Sequence, residues 1–543
     1  MHVGSVPCTL TETDRSPIAG RSLTDTAASA RAETAARHNP GVPNAGVPNA
    51  GVPSPAVRAW WYRATVIIGV AGGVALRIWL LALPTGTLDS DEAVVGLMAR
   101  HIVHSHQFTT FYWGQNYGGS ITAVVMAGVF AVFGSSTTTL KAVPIGMSAI
   151  SALLVWRLGR RTIGEPGATI AALAFWVWPT NYVWLSTKER GFYWACMIIG
   201  LAFLLEVLHI VERPGRWRSW VALGLLGGLG WWTSPQILYF AVPGLIWLVI
   251  RLRRDVWRIV LAVPFAVAGS LPWLVWNAHH HWAALVPTSR QFDQGYEGNI
   301  EVLLRHGLPV ALGLNIVERW MVPLVFPLIY VGIIAVGVIG LALRRSRPWL
   351  LVLVVATFPL LWGAFPVSGV IGEGRYVMFI LPAVALLLVY VLRYPALQIL
   401  FLVAAFSVSV DGVHRLRCCT SSRAPDVAMP RHTGPLIKAL EAHHVTHFNG
   451  DYWIVYRVAF ETDERIIGSP RSFKRWRPYE RAVAADPDPP AVFVARSSLG
   501  PTYGRGLERL GVAFTRYQAG DFVVYQPARR IDFERVLAAG STT

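Results

Sequence analysis

The sequence predicts a polytopic α-helical membrane protein that carries a small α/β domain at its C-terminal end. Three observations predict it. First, 53% of the 543 residues are hydrophobic and only 15% are charged, where a soluble domain carries about 25% charged residues. Second, the apolar residues gather into long runs separated by short arginine-bearing loops, the pattern of helices stacked through a bilayer. Third, beyond about residue 411 the runs shorten and helix-like and strand-like segments alternate between polar turns.

Residues 1–58 are rich in Ala, Thr, Pro, Gly and Arg, with a repeat in GVPNAGVPNAGVPSP. Such a segment has too little apolar surface to offset its chain entropy, and it reads as a disordered cytoplasmic tail. The transmembrane domain follows over 59–410. Trp60 and Trp61 anchor its first run, 64–83, at the interface. Further runs lie at 120–134, 141–156, 167–186, 191–211, 219–234, 236–250, 259–276, 321–343, 349–366, 376–392 and 396–410. Each is expected to be helical, because backbone polar groups cannot be left unpaired in lipid. About 11 to 12 spans result.

Arg157/Arg160/Arg161, Arg213/Arg216/Arg218, Arg251/Arg253/Arg254, Arg344/Arg345/Arg347 and Arg393 mark one face, which the positive-inside rule assigns to the cytoplasm. The loops at 85–119, 277–307 and 367–375 and the α/β domain at 411–543 then lie outside. This holds if 120–134, short and preceded by Gly118-Gly119, is re-entrant rather than fully crossing. The net charge of +17 is carried almost wholly by arginine and is read as orientation and lipid-headgroup contact; no nucleic acid is expected as a partner. The four cysteines show no metal spacing and no disulfide framework.

The residues that point to chemistry begin in LDSDEAVVGLMARHIVHSHQFTTFYWGQNYGGS, residues 88–120. Asp89, Asp91 and Glu92 crowd at the start of a helix-patterned segment, in a chain with 31 acidic against 48 basic residues. Carboxylates there suit the helix dipole and a cap. Three within four residues exceed what one cap needs, and an aromatic, polar loop containing Gln115 and Tyr117 follows, shaped to fold over a substrate. Juxtamembrane acids are functional candidates. A second group, Lys188, Glu189 and Arg190 in STKERGFYW, faces outward against the positive-inside bias and forms a candidate polar wall. A third, Arg375 and Tyr376 in GEGRYVMFILP, does so at the outer end of a late run. His279, His280 and His281 are adjacent, so they cannot easily converge on one metal ion. GLLGGLGWW (224–232) has the spacing of helix-packing glue. Tyr452, Trp453, Tyr456 and Phe460 in DYWIVYRVAF (451–460) read as core of the α/β domain, with acceptor or glycan recognition by their flat faces as the alternative.

A membrane helix, an outward loop with an Asp-Glu pair, then ARHIVHSHQF and YWGQNYGG leading to the next apolar run resembles the GT-C superfamily of glycosyltransferases. The closest likeness is to its family 39 group, the protein O-mannosyltransferases and lipid A aminoarabinose transferases. It departs from that group at Gly118-Gly119-Ser120, where many relatives carry a Lys-Pro-Pro type element. The resemblance implies a polyprenyl-phosphate-linked sugar donor, an inverting transfer, and an acidic pair at the active site. It also implies that Arg375, and more weakly Tyr376, lie near the donor phosphate, a role suited to the planar guanidinium fork. Asp91 is the first choice for the general base, with Glu92 orienting substrate and Asp89 the substitute; Lys188, Glu189, Arg190, Gln115 and Tyr117 complete the expected substrate-binding set. No metal is assigned, although a divalent cation is a further candidate for carboxylate ligation. The expected acceptor is a hydroxyl of an envelope glycan, glycolipid or protein. The alternative reading is a transporter or flippase of lipid-linked glycans, in which the acids form a relay.

Overall fold

Trp60 and Trp61 are exposed and meet edge to face near the start of helix α1 (Pro55–Ala82), which begins four residues inside the segment read as tail. Its outward side chains, Ile67, Ile68 and Ile78, are apolar and exposed, as a lipid-facing surface requires. This computed structural model describes residues 55–286, 293–316, 319–320, 348–364, 374–417 and 430–541. The run at 321–343, Arg344/Arg345/Arg347, residues 367–373, Cys418-Cys419 and most of the tail lie outside the described residues.

Helices α2 (Ser90–Ser105), α3 (Ile121–Phe133), α4 (Thr137–Thr162), α5 (Gly167–Val177), α6 (Thr180–Leu185), α7 (Tyr193–Glu212) and α8 (Trp217–Thr233) follow. Among the described residues, five helical stretches are long and apolar enough to cross a membrane: Ala59–Ala82, Thr137–Thr162, Tyr193–Glu212, Pro235–Gly269 and Pro395–Leu416. Shorter apolar helices lie at Ile121–Phe133, Gly167–Val177, Trp349–Gly363 and Met378–Val391. The 13 residues of α3 rise only about 20 Å, less than a hydrocarbon core of about 30 Å. The runs at 236–250 and 259–276 are not separated by a loop. The first run and the second as far as Gly269 belong to one helical stretch, tightened into a 3₁₀ segment at Arg253–Ala262, and the rest of the second run lies in the helix Leu271–His279. The run at 167–186 is instead divided at Trp178-Pro179, because proline cannot continue the ladder.

Small residues fix the closest helix approaches. A Cβ on Gly224 would stand 2.1 Å from the Ala262 carbonyl oxygen, and one on Gly228 would stand 2.0 Å from that of Ala266. Only glycine permits that backbone contact. Within α1, Arg77 is buried with its guanidinium 3.4 Å above the Trp176 ring, and Nη1 donates to the carbonyl oxygens of Gly73 (2.8 Å) and Trp176 (3.1 Å).

A two-residue antiparallel pair, β1 (Asn315–Ile316) and β2 (Arg319–Trp320), precedes the late helices. The helix Pro395–Arg417 runs seven residues past the boundary expected at 410. Beyond it come β3 (His447–Gly450), β4 (Ile467–Pro470), β5 (Ala491–Val494), β6 (Phe514–Ala519) and β7 (Phe522–Pro527). They form one sheet in the order β4-β3-β5-β7-β6, with β3 parallel to β4 and β5 and the remaining pairs antiparallel. The AVFVA and DFVVYQ segments are β5 and β7, and PLIKALEA lies within the helix Gly434–Ala442.

DYWIVYRVAF forms the helix Tyr452–Glu461, capped by Asp451, whose side chain accepts from Trp453 N. Its buried face packs on α2 as well as on its own sheet. The Ser90 hydroxyl donates to the Tyr452 carbonyl oxygen, and Arg100 Nη1 donates to that of Phe460 (2.7 Å). Arg100 pairs with Asp463 at 2.9 Å, and His101 Nε2 lies 2.9 Å from Glu464. Trp113 and Trp476 stack at 4.2 Å. The C-terminal α/β region is thereby clamped directly onto α2 and the loop after it.

Candidate functional site

Asp89 is the N-cap of α2 and forms a reciprocal capping box with Glu92: its carboxylate accepts from Glu92 N, and Glu92 accepts from Asp89 N, both at 3.2 Å. Capping therefore accounts for two of the three clustered acids. Both are also buried among cations. Arg190 Nη1 donates to both Asp89 oxygens at 2.8 Å, and Lys188 Nζ lies 3.0 Å from Asp89 and 3.1 Å from Glu92. Lys141 Nζ donates to both Glu92 oxygens at 2.7 Å. Burial pushes the Asp89 carboxyl up, but Arg190 and Lys188 together outweigh it and hold the carboxyl well below the usual range.

Asp91 is different. Its side chain is 16% exposed, against 2% for Asp89 and 0% for Glu92. Three arginines stand around it without closing on it: Arg190 and Arg375 at 3.8 and 3.7 Å from Oδ2, and Arg475 at 3.9 Å from Oδ1. Its short hydrogen bond comes from the Tyr452 hydroxyl, which donates to Oδ1, while the Tyr112 hydroxyl donates to the Asp91 carbonyl oxygen at 3.0 Å. The described side chains thus place one accessible carboxylate inside a ring of guanidinium groups, with two further carboxylates sealed beneath it by lysines.

Glu189 is fully buried rather than part of an open wall. Its Oε1 accepts from Gly191 N at 2.8 Å, and Oε2 has no hydrogen-bond partner among the described residues. Burial pushes its carboxyl well above the ordinary value, and Glu92 adds to the shift. Tyr376 is half-buried, with the Arg375 guanidinium 5.2 Å over its ring and the Tyr193 ring 5.7 Å away. Tyr117 is exposed at the rim against Phe192. Gln115 stands aside: its backbone N–H bonds the Tyr112 carbonyl in the turn. His279–His281 are exposed, and no group of three or more His, Cys, Asp or Glu among the described residues is arranged to hold a metal ion.

The loop after α2 is shaped by two glycines. Gly118, at φ +76°, leaves room for Phe192, whose ring would lie 2.1 Å from a Cβ there. Gly114, at φ +70°, lets the backbone at Lys474 approach within 2.7 Å of the same position. That approach brings Arg475 to the site. Arg475 and Lys141 are site residues that sequence reasoning missed, and Tyr452, read chiefly as core, reaches the site as well. The signal for Lys141 was a lone lysine in an apolar run; Arg475 lay in a basic stretch, FKRWR, that reads as solvated surface.

Residues 120–276 match the family model described as dolichyl-phosphate-mannose-protein mannosyltransferase. The match starts at the N-terminal end of α3 and includes neither the acidic cluster nor the loop after α2. The structure resembles that of ArnT from Cupriavidus metallidurans in the apo state, with a TM-score of 0.59 at 14% identity over 90% of this chain and all of that one. Against the same protein bound to undecaprenyl phosphate, the TM-score is 0.55 at 15% identity over 85% of this chain and 98% of the other. A search of curated protein sequences returns no significant match. The likeness to family 39 GT-C enzymes is borne out by the family match over residues 120–276, and the fold resembles that of ArnT.

Proposed function

We propose that the protein is a membrane glycosyltransferase that moves a sugar from a polyprenyl-phosphate donor to an acceptor hydroxyl, with Asp91 as general base. The observation that carries this reading is the accessible Asp91 carboxylate held between Arg190, Arg375 and Arg475. The ArnT structure with undecaprenyl phosphate bound supports the choice of donor class.

The step balances on these residues. The acceptor oxygen attacks the anomeric carbon as its proton passes to Asp91. The bond from that carbon to the phosphate oxygen breaks, and the electron pair leaves on the polyprenyl phosphate. A positioned base contributes about 10²- to 10⁴-fold. The leaving group gains negative charge, which guanidinium groups stabilise through charge-assisted, forked hydrogen bonds. Counting Asp89, Asp91 and Glu92 against Lys141, Lys188, Arg190, Arg375 and Arg475, the described site holds two more positive than negative groups. That excess suits a phosphate better than a proton relay, which requires no net charge. The positive-inside bias supports an extracytoplasmic site with the C-terminal region on the same face, and an acceptor drawn from envelope glycan, glycolipid or protein.

The test compares wild type with Asp91→Asn in membranes supplied with radiolabelled polyprenyl-phosphate sugars, following label into glycan, lipid and protein fractions. Asn keeps the size and removes the base, so transfer is expected to fall by about 10²-fold or more at equal abundance. Equal transfer by both proteins would remove Asp91 from the reaction. Donor consumed by neither would favour the transporter reading.

A further inference from the structure

Asp91 turns its two oxygens toward different parts of the chain. Oδ2 faces Arg190 and Arg375, from the membrane-embedded part; Oδ1 faces Arg475 and accepts from the Tyr452 hydroxyl, both from the C-terminal α/β region. A base that deprotonates an alcohol first receives a hydrogen bond from it. In this structure a hydroxyl already occupies that position, and it is the protein's own.

The surroundings of that hydroxyl are aromatic and cationic. The Arg475 guanidinium lies 5.2 Å over the Tyr112 ring, 5.4 Å over Tyr452 and 5.8 Å over Phe473. Phe473 is 66% exposed and has φ +54°. A left-handed backbone and an exposed phenyl ring are both unfavourable for a non-glycine residue, and such strain gathers at ligand clamps. The Tyr452 ring, 5.6 Å away, joins it to the base.

We propose that Tyr452, Phe473 and Arg475 form the acceptor subsite and that the acceptor is a carbohydrate hydroxyl, which displaces Tyr452 from Asp91 Oδ1. The proposal rests on the glycosyltransferase reading. Flat rings match the apolar C–H face of a sugar, and a planar guanidinium donates to its ring hydroxyls. Until an acceptor arrives, the Tyr452 hydroxyl covers the base and denies it to water.

The experiment uses the full chain in proteoliposomes with labelled undecaprenyl-phosphate sugars, and offers octyl glycosides and a threonine-containing peptide as alternative acceptors. Label is expected to enter the glycoside. Phe473→Ala should raise the KM for glycoside about tenfold, the scale of one lost ring contact, without raising the KM for donor, and Phe473→Trp should restore it. Tyr452→Phe keeps the ring and should raise donor hydrolysis in the absence of acceptor several-fold. Label entering the peptide instead, or an unchanged glycoside KM in Phe473→Ala, would overturn the subsite. A Tyr452→Phe enzyme with lower kcat and no added hydrolysis would show that Tyr452 orients the base rather than covering it, and would overturn the displacement. If wild type consumes no donor, the glycosyltransferase reading itself fails, whereas the preceding outcomes fail the subsite alone.

Discussion

Glu92→Gln and Asp91→Asn change adjacent carboxyl groups, and the structure assigns them opposite consequences. The Glu92 side chain is fully buried and accepts five hydrogen bonds: two from Lys141, one from Lys188, and one each from the backbone N–H groups of Asp89 and Glu189. Glutamine offers one oxygen and an NH₂ group. At least one of those donors then faces another donor, and two buried ammonium groups lose their shared anion. Breaking a buried pair by neutralising one partner costs about 3–5 kcal/mol, against total stabilities of about 5–15 kcal/mol. Glu92→Gln is therefore expected to lower the thermal unfolding midpoint in detergent by several degrees or more and to reduce the folded yield. Asp91 is more exposed, and its nearest guanidinium nitrogen is 3.7 Å away. Asparagine keeps an oxygen to accept from the Tyr452 hydroxyl, and ion pairs this loose contribute about 1 kcal/mol or less, so Asp91→Asn should unfold close to wild type while losing transfer. The paired assay is fluorescence-monitored unfolding and label transfer on the same preparations. A Glu92→Gln protein as stable as wild type but inactive would refute the division of roles and make Glu92 the base.

Other expectations follow from the same geometry. Burial lowers the His101 pKa, but the Glu464 hydrogen bond and charge outweigh it and raise it overall. The stabilisation is thus complete below the ordinary value of about 6.5 and is lost as pH rises through the raised one; protection factors across 100–107, which allow for the faster intrinsic exchange at high pH, should fall above neutral pH, and His101→Ala should abolish that fall. For Glu189, whose pKa is raised, only the unfolded chain releases its proton above about pH 4.3. Stability therefore falls as pH rises from there toward the folded value, and Glu189→Gln should flatten the midpoint-against-pH curve. Gly228→Ala forces a Cβ to within 2.0 Å of the Ala266 carbonyl and should destabilise by about 1–3 kcal/mol. Gly128→Ala meets nothing within 4 Å and should be neutral or stabilising by up to about 1 kcal/mol. Arg375→Lys loses the guanidinium fork and should raise the donor KM about tenfold, one hydrogen bond's worth, as read from donor titrations.

Much of the site was legible because its residues break local rules. Lys188, Arg190 and Arg375 are cations in loops that the arginine pattern assigns to the face where the positive-inside bias disfavours them, and all three reach the acidic cluster. The carboxylates were legible as a group but not individually, since only the fold separates the sealed Asp89 and Glu92 from the open Asp91. Helix capping and a polar cluster are not alternatives, since Asp89 caps α2 and also pairs with Lys188 and Arg190. Tyr452 and Arg475 could not be assigned from local pattern, because an aromatic in an amphipathic helix and an arginine in a basic loop satisfy their own surroundings. Their meaning comes from a docking contact, and the loop glycine Gly114 that permits it was not singled out. Apolar periodicity located the long helices but missed where α5 breaks and where Arg253–Ala262 continues as helix, since proline and 3₁₀ geometry are set within a few residues.

The hydrogen bond from Tyr452 to Asp91 joins residues 361 positions apart. A chain made from its N-terminus inserts α1 and α4 and exposes α2 long before Tyr452 and Arg475 exist. During that interval Asp91 has Arg190 at hand but neither its hydroxyl cover nor its third guanidinium. Contacts of such separation form late, because the intervening chain must first be ordered. The cluster around Asp91 is therefore complete only once the C-terminal α/β region has docked on α2. A polypeptide that stalls, is clipped, or fails to fold its last segment keeps Asp89 and Glu92 among Lys141, Lys188 and Arg190 but lacks Tyr452 and Arg475 beside Asp91.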